Sequence, residues 1–477
     1  MRRTLFLLIF TLSITHLFSQ QIFRNSIFPP NEVPLSMHED SNGNINIVGY
    51  VSDSLFQNLK GYIVTLNSTG DLVEQFLYGE DEEKVSFSKI LSLNNKRIVF
   101  GAFTDFSQRK LFFIEFDSEW NEIVKKTINI PPDRNLADFR LIIDSDSNLV
   151  FTGSTLDYIN NYPNNFNLKY DLLGDSIVSF FNNSNYHPIS YCIQESFDNT
   201  KYYNIIANFH SNGYSGILQL NKTFDTIGYY IFSRDLFYTY SSLPYKDSLI
   251  LLVGINTINN HKLELCVSNE YGYINQTLSF EKEPIMKEHP ALIQPLSKIN
   301  NHIYLGSTSN FDDLNVYYSQ FDSWFHLIKL DTTLNVLWEK WYGGDAYYFL
   351  NSVLATSDGG CLLVGTKYPH GSPSLIRYSH FVKVDANGDV QWTQDIEMPE
   401  LSYKVYPNPT QSVFNIENSE LNIIQIELYD ISGRYLTSIS DCSNSTISID
   451  LSPFSNGIYF AKIKSSKGVR TEKVVKN

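Results

Sequence analysis

The residue types that most often carry catalytic or metal chemistry are few in this chain and lie far apart. Its 477 residues include 4 cysteines and 10 histidines, and no HExxH, GxSxG, P-loop or CxxC motif occurs in the sequence. Cys192, Cys266, Cys361 and Cys442 fall in separate segments, so we expect buried thiols and no disulfide framework. The histidines lack the spacing of metal ligands. The sequence therefore predicts no catalytic residue, no metal site and no cofactor.

One acidic cluster has the spacing of oxygen ligands for Ca²⁺. Asp144, Asp146 and Asn148 alternate as in the first half of an EF-hand loop, but the later glycine and the terminal glutamate of that loop are missing from the sequence. Related positions elsewhere in the chain read as Asn/Asp/Gly turns. We therefore expect a turn at this position, with calcium binding as the alternative.

Five hydroxyl residues share a short motif in which Asp precedes Ser or Thr and an aliphatic residue or Thr follows. The hydroxyls are those of Ser54, Ser176, Thr226, Ser248 and Thr332. The motif resembles the O-glycosylation acceptor motif of Bacteroidetes proteins, which would make these five residues sugar attachment sites. The alternative is structural, because Asp-Ser also ends a turn just before an apolar strand. Both interpretations remain open at this point.

The scaffold that positions these residues is an internal repeat. A short apolar run followed by glycine recurs seven times, with alanine in the fourth copy, at Gly49, Gly101, Gly153, Ala207, Gly254, Gly306 and Gly365. A spacing of about 50 residues is typical of propeller blades, and turn residues between short apolar runs predict four antiparallel strands per copy. We predict an all-β fold, with a seven-bladed β-propeller over residues 20–397.

Closing the repeats into a ring would bury both faces of each sheet and leave only short edges. Residues 21–30 could add a strand that latches the ring. The spacing Asp385-x-x-Gly388-x-x-x-Trp392 resembles the repeat of pyrroloquinoline-quinone-type propellers, and residues 331–338 form a looser version. Only two copies carry the tryptophan, so the resemblance implies blade packing and no quinone site.

The first 19 residues have the layout of a secretory signal peptide. Arg2 and Arg3 precede a largely apolar run over residues 5–18, and small and polar residues follow. This run is too short to span a bilayer, which needs about 20 residues. No later stretch is long and apolar enough to do so, and we expect no transmembrane segment.

A separate module occupies residues 404–477, after a linker at 398–403. Its alternating apolar runs predict a small antiparallel β-sandwich. Three motifs follow one another along this module, and a basic-apolar end completes it. They are Tyr406, Pro407, Asn408 and Pro409, then Leu428, Tyr429, Asp430, Gly433 and Arg434, then Gly457, Ile458 and Tyr459, with Lys473 in the last strand.

These three motifs together resemble the type A C-terminal sorting domain of the type IX secretion system of Bacteroidetes. The resemblance is confined to this module. It implies that the type IX secretion machinery carries the chain across the outer membrane after the signal peptide has directed it across the inner membrane. It also implies cleavage near residues 395–403, followed by secretion or by attachment to lipopolysaccharide on the outer cell surface.

Charge and aromatic content restrict the partners that we expect. The formal net charge of −15 argues against binding to nucleic acid or to an anionic membrane. The chain has 31 Tyr and 33 Phe, and several of them cluster in predicted loops, where rings can stack on sugars or anchor proteins. The two clusters are Tyr158, Tyr162 and Phe166, and Tyr317, Tyr318 and Trp324.

Two functions fit these observations. The first is a secreted or cell-surface, non-catalytic propeller that binds an extracellular glycan or protein, as an adhesion module does. The second is an extracellular enzyme that degrades polysaccharide or peptide at the propeller axis, with residues from several blades. A cluster of carboxylates or arginines at one axial face would favour the enzyme, and an apolar or neutral axis would favour the binding module. The sequence favours binding and leaves catalysis open.

Overall fold

The computed structural model describes most of the chain, and every regular element in the described residues is a β-strand. The described part runs over residues 31–477 apart from 53–58, 80–83, 94–95, 106–107, 129–133, 158–162, 173, 182–187, 209–214, 234–236, 247, 257–260, 281–285, 313, 315–318, 371–376, 397–403, 418–422, 431–433, 441, 443 and 466–467. The chain divides into two compact units, and the boundary between them follows residue 394.

Seven antiparallel sheets, the blades, follow one another along the first unit, and within each sheet consecutive strands are neighbours. The strands of blades one to four are β1 (Glu32–Glu39), β2 (Ile45–Ser52), β3 (Leu59–Leu66), β4 (Leu72–Tyr78), β5 (Lys84–Leu93), β6 (Lys96–Asp105), β7 (Gln108–Phe116), β8 (Glu122–Ile128), β9 (Arg134–Ile143), β10 (Leu149–Asp157), β11 (Pro163–Tyr170), β12 (Ser176–Phe181), β13 (Pro188–Glu195), β14 (Lys201–Asn208), β15 (Ser215–Asn221) and β16 (Thr226–Ile231).

Blades five to seven continue the same pattern, except that the first strand of blade six is split into two pieces that pair with the same neighbour. Their strands are β17 (Phe237–Tyr245), β18 (Leu249–Asn256), β19 (Lys262–Ser268), β20 (Ile274–Phe280), β21 (Glu288–Pro290), β22 (Leu296–Ile299), β23 (His302–Ser309), β24 (Trp324–Asp331), β25 (Val336–Gly343), β26 (Tyr347–Ala355), β27 (Cys361–Tyr368), β28 (Tyr378–Val384) and β29 (Val390–Ile396). The predicted seven-bladed propeller is confirmed.

In blades one and seven, a bulge in the first strand excludes any side chain at the recurring glycine. In blade one, the pairing register shifts between Pro34 and Ser36, directly after the pair formed with Gly49. A Cβ atom on Gly49 would lie only 2.0 Å from the carbonyl oxygen of Val33, because the bulge turns that backbone toward the second strand. Gly365 in blade seven is under the same constraint, at 2.2 Å from a backbone oxygen.

Blade four, whose copy of the repeat has alanine in place of glycine, has its bulge at a different position. In blade four, Ala207 pairs with Ile189, and the register shift comes one pair later, between Ser190 and Cys192. Position 207 therefore faces a regular part of the ladder, where glycine is not required. In blade three the shift falls on the other side of Gly153.

The hydrophobic core lies between neighbouring blades. Each interface joins large apolar side chains of one sheet to those of the next, as Phe100 and Phe113 of blade two meet Phe151 and Phe166 of blade three. Equivalent clusters join the other consecutive blades from one to seven. Burial of both faces accounts for the nearly continuous apolar runs in the sequence.

The ring closes by direct packing of blade seven on blade one. The Tyr62 hydroxyl lies 3.2 Å from the Ser379 hydroxyl, and the Asn351 side chain donates to the carbonyl oxygen of Pro34 at 2.7 Å. Ser357 donates from its backbone and its hydroxyl to the Glu39 carboxylate. Blades one and seven are each built from four consecutive strands. The predicted latch at residues 21–30 lies outside the described residues.

The meander order of each blade sorts its connections to two ends. The first-to-second and third-to-fourth connections share one end, which we call the turn end, and the remaining connections share the opposite end. Most turn-end connections are tight turns closed by an Asp or Asn side chain, as when Asp385 accepts the backbone N–H groups of Asn387 and Asp389. These turns are the Asp/Asn/Gly clusters of the sequence.

The second unit contains a two-sheet sandwich, as predicted. One sheet pairs three strands and the other pairs four, and their facing side chains, including Phe414, Leu428 and Val474, form one core. The strands are β30 (Val405–Tyr406), β31 (Val413–Glu417), β32 (Ile423–Asp430), β33 (Tyr435–Ile439), β34 (Thr446–Asp450), β35 (Gly457–Ser465) and β36 (Gly468–Lys476).

Candidate functional sites

A cavity of about 520 Å³ lies where the first strands of the blades meet. Its wall is largely apolar, since β1, β9, β13 and β17 contribute Val33, Leu141, Ile193 and Leu243. We call this space the axial cavity. Its volume falls in the range of small-molecule sites, about 300–1,000 Å³.

The split first strand of blade six shapes one side of the axial cavity. Between Pro290 and Leu296 the chain leaves its own sheet, and the backbone N–H of Ile293 donates to the carbonyl oxygen of Asn351 in blade seven at 2.8 Å. Residues 292–294 therefore line the cavity. The sequence analysis missed this feature, although Pro290 and Pro295 interrupt a strand that should be continuous.

Two cationic side chains face the axial cavity from blades two and three. The Lys89 ammonium donates to the Gln294 side-chain oxygen at 2.7 Å. The Arg140 guanidinium donates to the backbone oxygens of Phe139 at 3.0 Å and Leu292 at 3.3 Å. Burial, together with the positive charge of Arg140, lowers the pKa of Lys89 to about 8.

The charge of the axial cavity is opposite to that of the chain. Its described lining residues include Lys89, Arg140 and Lys298 but no aspartate or glutamate, whereas the whole chain carries −15. The lining therefore lacks the pair of carboxylates used for glycoside hydrolysis. The axial cavity therefore differs from both arrangements considered from the sequence. Its wall is mainly apolar, as expected for a binding module, but it is cationic instead of neutral.

A thiol also reaches the axial cavity. Cys192 lies 3.3 Å from the Ser242 hydroxyl, and burial raises its pKa to about 12. A thiol with this pKa is protonated at neutral pH and is a poor nucleophile. All four cysteines are buried and none forms a disulfide, as the sequence analysis expected.

Blade six contains a buried Ser–His–Glu cluster that the sequence analysis missed. The Ser307 hydroxyl donates to Glu288 at 2.6 Å, and the His326 Nδ1 atom lies 3.2 Å from the same carboxylate oxygen. His326 Nε2 lies 2.7 Å from Glu339. The imidazole stacks on Trp341, with ring centroids 4.6 Å apart.

The protonation of this cluster follows from its geometry. Burial alone would lower the pKa of His326, but the charges and hydrogen bonds of Glu288 and Glu339 raise it to about 9. A carboxylate lies at each ring nitrogen, Glu288 at Nδ1 and Glu339 at Nε2. The Ser307 hydroxyl donates to Glu288, and a protonated imidazole has no free lone pair with which to accept a proton from serine. The cluster is therefore a buried charge network.

An exposed apolar patch, which we call the rim patch, lies on the outer edge of blades four and five. Side chains on one face of β16 and in the β19–β20 turn are 42–60% exposed. The turn is fastened to the end of β16, because the Tyr230 and Tyr271 rings meet edge to face at 5.2 Å. The rim patch comprises Ile227, Tyr229, Ile231, Tyr271 and Tyr273.

Two of the aromatic residues predicted for binding loops lie in strands. Phe166 is fully buried in β11 opposite Gly153, so its predicted place in a loop is wrong. Trp324 begins β24, whereas residues 158, 162, 317 and 318 lie outside the described residues. The signal for the rim patch was the alternation Ile-x-Tyr-x-Ile in β16, which the sequence analysis did not use.

The described members of the Asp-Ser/Thr motif share the turn end of the propeller. Ser176 and Thr226 begin the outer strands β12 and β16, Ser248 directly precedes β18, and Thr332 lies in the β24–β25 turn. The first three are exposed and Thr332 is half-buried. Ser54 lies outside the described residues.

The acidic cluster with calcium-like spacing is occupied by the protein itself. The Asp144 carboxylate accepts the Lys169 ammonium at 2.9 Å and the Tyr202 hydroxyl at 2.7 Å. Its other oxygen accepts the backbone N–H groups of Asp146 and Asn148. The Lys169 ammonium pairs with the Asp144 carboxylate in place of a metal ion. Asp144, Asp146 and Asn148 form a turn. In the described part of the chain, no group of three or more potential ligands could hold a metal.

The two tryptophans of the quinone-type spacing pack on neighbouring blades. The Trp338 indole of blade six donates to the carbonyl oxygen of Ala386 in blade seven. The Trp392 indole of blade seven donates to the carbonyl oxygen of Ser68 in blade one, at the ring closure. A Cβ atom on Gly70 would lie 2.7 Å from the Trp392 ring. The packing role inferred from the sequence is therefore consistent with the contacts.

In the C-terminal sandwich, the motif residues hold turns and strand pairs. The Asn408 side chain donates to the backbone oxygen of Lys473 at 2.6 Å and accepts the N–H of Val475 at 2.9 Å. This amide therefore ties the Tyr-Pro-Asn-Pro segment to the last strand. The peptide bonds that precede Pro407 and Pro409 are both cis.

The second and third motifs lie side by side. Asp430 pairs with Tyr459 in the β32–β35 ladder, and Leu428 pairs with Ala461. The Asp430 carboxylate accepts the Arg434 backbone N–H and its guanidinium, both at 3.0 Å. Tyr429 packs edge to face on Tyr435. Gly457 is exposed and Ile458 half-buried, and Gly433 lies outside the described residues.

Together the fold and these motifs define an exported β-propeller with a C-terminal sorting module. Residues 404–477 match the family described as the secretion system C-terminal sorting domain. The module engages the type IX machinery and directs the chain across the envelope, to the cell surface or the medium. No curated protein matches the sequence. Over the described ranges, the chain has no helix with the length and hydropathy of a membrane span.

Several solved structures are similar to this chain over part of its length. A puromycin-hydrolysing peptidase of Mycobacterium tuberculosis is 9% identical, with 83% of this chain and 61% of that chain covered and a TM-score of 0.47. The propeller domain of the Trilobed protease from Pyrococcus furiosus is 10% identical, with coverages of 78% and 97% and a TM-score of 0.44. A quinohemoprotein alcohol dehydrogenase from Comamonas testosteroni is 10% identical, with coverages of 83% and 72% and a TM-score of 0.43. These similarities carry no information about activity.

Proposed function

We propose that the chain is a non-catalytic propeller that works outside the cell as an adhesion protein and binds an extracellular glycan through the rim patch. The observation that carries this proposal is the exposure of two isoleucines and a tyrosine on one face of β16 and of two tyrosines in the neighbouring β19–β20 turn. Large apolar side chains exposed on one part of a surface commonly mark a binding site. Tyrosine rings suit a sugar ligand, because they combine an apolar face with a hydroxyl that forms hydrogen bonds.

The turn that carries two of the rim-patch tyrosines is braced by a side chain. Tyr271 and Tyr273 lie in a short turn whose backbone is held by the Asn269 side chain, at 3.0 Å from each backbone N–H. The rings therefore project from a braced turn. A braced turn reduces the conformational entropy that is lost when a ligand binds.

The rim-patch proposal predicts a specific loss of binding. The Tyr271→Ala, Tyr273→Ala double variant should bind insoluble polysaccharide about 10–30-fold more weakly, because each ring contributes about 1 kcal/mol. The measurement is co-sedimentation of the exported protein with a panel of insoluble polysaccharides. Phe321→Ala, which removes an exposed ring in blade six, should bind as the wild type does.

Two results would count against adhesion at the rim patch. One is co-sedimentation of the double variant at wild-type affinity, and the other is the absence of binding to any polysaccharide in the panel. The alternative function, an enzyme that degrades polysaccharide or peptide at the axis, predicts release of soluble sugar or peptide fragments in the same tubes. Binding without release supports the adhesion protein.

Maturation is the second part of the proposal. Residues 1–19 act as a signal peptide, the sorting module is removed near residues 395–403, and the mature propeller is released or joined to surface lipopolysaccharide. The hydroxyls at the turn end carry O-linked sugars. The exposure of Ser176, Thr226 and Ser248 at one end of the propeller supports this.

Intact mass of the protein recovered from its native cells tests maturation. We expect loss of both terminal segments and a mass excess in hexose-sized steps. Ser176→Ala should remove one glycan, whereas Ser179→Ala, which changes an exposed serine of the same strand outside the motif, should leave the mass excess unchanged. A full-length C-terminus retained in the periplasm, or a mass without any excess, would contradict the corresponding step.

A further inference from the structure

We propose that the axial cavity binds a small organic anion, whose carboxylate or sulfonate group lies between Lys89 and Arg140 and whose apolar body packs on the cavity wall. This site is separate from the rim patch and does not depend on the adhesion proposal. It would make the propeller a carrier or sensor of a soluble metabolite-sized ligand.

Two positive charges converge on the axial cavity. Lys89 and Arg140 come from different blades and face one space, and they are close enough for Arg140 to disfavour the charged form of Lys89. Like charges in a partly desolvated space repel each other. An anion that lies between the two cations would relieve this repulsion, and the described lining residues supply no carboxylate that would repel it.

The Lys89 ammonium has hydrogen-bonding capacity for a ligand. An ammonium has three N–H donors, and the Lys89 donor that points to Gln294 accounts for one of them. Gln294 is held in turn, because its amide nitrogen donates to the backbone oxygen of Val353 at 3.1 Å. The ammonium is thus oriented by a fixed partner, and it retains donors for a ligand.

The wall of the axial cavity is mainly apolar. Leu35, Phe139, Ile193 and Leu243 surround the cations with apolar surface, and Ser241 and Ser242 add a few hydroxyls. A mainly apolar pocket with a small number of converging polar groups is typical of small-molecule sites. An inorganic ion alone would leave most of this wall without contacts, so the ligand class is an organic anion.

A purely structural role for the two cations is the competing explanation. Lys89 and Arg140 both bond to the segment at residues 292–294, and they could serve only to hold it against blades two and three. The two explanations differ in a measurable way. A structural role predicts no preference for an anion over a neutral molecule of the same shape.

Isothermal titration of the exported protein with three matched probes tests the site. The probes are 2-naphthoate, 2-naphthalenesulfonate and the neutral 2-naphthalenemethanol. We expect at least one anion to bind about tenfold or more tightly than the alcohol, because a hydrogen bond to a charged group is worth that much. The preferred anion distinguishes a carboxylate ligand from a sulfonate or sulfate ligand.

Lys89→Met should abolish the preference for the anion. Lys125→Met is the matched control, because it removes one exposed cation from β8, the outer strand of the same blade, and should leave anion binding unchanged. Circular dichroism establishes that both variants fold. The proposal is overturned by equal affinity of the wild type for the anions and the alcohol, by failure of both anions to bind, or by a folded Lys89→Met protein that keeps the preference. None of these results bears on binding at the rim patch.

Discussion

Replacing His326 by alanine is expected to lower the free energy of unfolding by about 3–5 kcal/mol, the usual cost of removing one partner from a buried ion pair. The imidazolium is enclosed by Glu288 and Glu339 and stacks on Trp341. Because His326 and Glu288 are fully buried, the truncation leaves the Glu288 carboxylate in the protein interior without its cation. The loss of the stacked ring adds a packing defect.

The measurement is chemical or thermal unfolding of the exported protein at pH 7. His302→Ala is the matched control, because His302 is a half-buried histidine at the start of β23 in the same blade. We expect this control to cost less than about 1 kcal/mol. Equal destabilisation by the two variants would show that the charge network contributes nothing beyond histidine packing.

The pH dependence of stability provides an independent readout of the same network. His326 has a pKa of about 9 in the folded chain and about 6.5 when unfolded. Since the folded state holds this proton more tightly, the contribution is complete below about pH 6.5 and is lost as the pH rises toward 9. The wild type should therefore lose stability between pH 7 and 9, and His326→Ala should lose less.

A neighbouring histidine acts in the opposite direction. Burial lowers the pKa of His289 to about 4, and the ring is packed among Tyr240, Phe311 and Phe349. Its contribution is present above about pH 6.5 and is lost as the pH falls toward 4. For these two histidines, stability is expected to be greatest near neutral pH.

Replacing Gly49 by alanine is expected to destabilise the propeller by about 1–3 kcal/mol, the range for overfilled interiors. The added Cβ atom would lie 2.0 Å from the carbonyl oxygen of Val33 and 2.9 Å from the Cα atom of Pro34. Both neighbours are backbone atoms, which cannot rotate away. The first strand must shift, and that strand contacts blade seven at the ring closure.

Thermal unfolding of Gly49→Ala tests this explanation, and Ala207→Gly is the control. The bulge of blade four is displaced by one pair, so glycine at position 207 should bring no gain and should instead cost up to about 1 kcal/mol of chain entropy. A stabilised Ala207→Gly protein would mean that glycine is favoured at this position for a reason other than the bulge. A wild-type melting temperature for Gly49→Ala would dismiss the steric explanation.

The architecture was predictable because its determinants are local and repeated. The bulge that excludes a side chain at Gly49 and Gly365 leaves a regular mark in the sequence, and the tight turns leave Asp/Asn/Gly clusters such as that at Asp385. The sorting module was equally visible. Asp430 holds a turn within its own short motif, and Asn408 bonds to the final strand of the same module. The linear pattern of motifs therefore contains most of the information that specifies this module.

The candidate sites were not predictable, because their residues meet only in the closed ring. Lys89 and Arg140 lie on different blades, the His326 network draws on four strands of blade six, and the rim patch joins β16 to a turn of the next blade. The register decides which side chains face the axis. One extra residue in a bulge moves every following side chain to the opposite face of its strand. The recurring glycine is visible in the sequence, but the position of the register shift is not. The linear pattern therefore determined the blades and the export signal, whereas the tertiary packing decided which charges and rings came together.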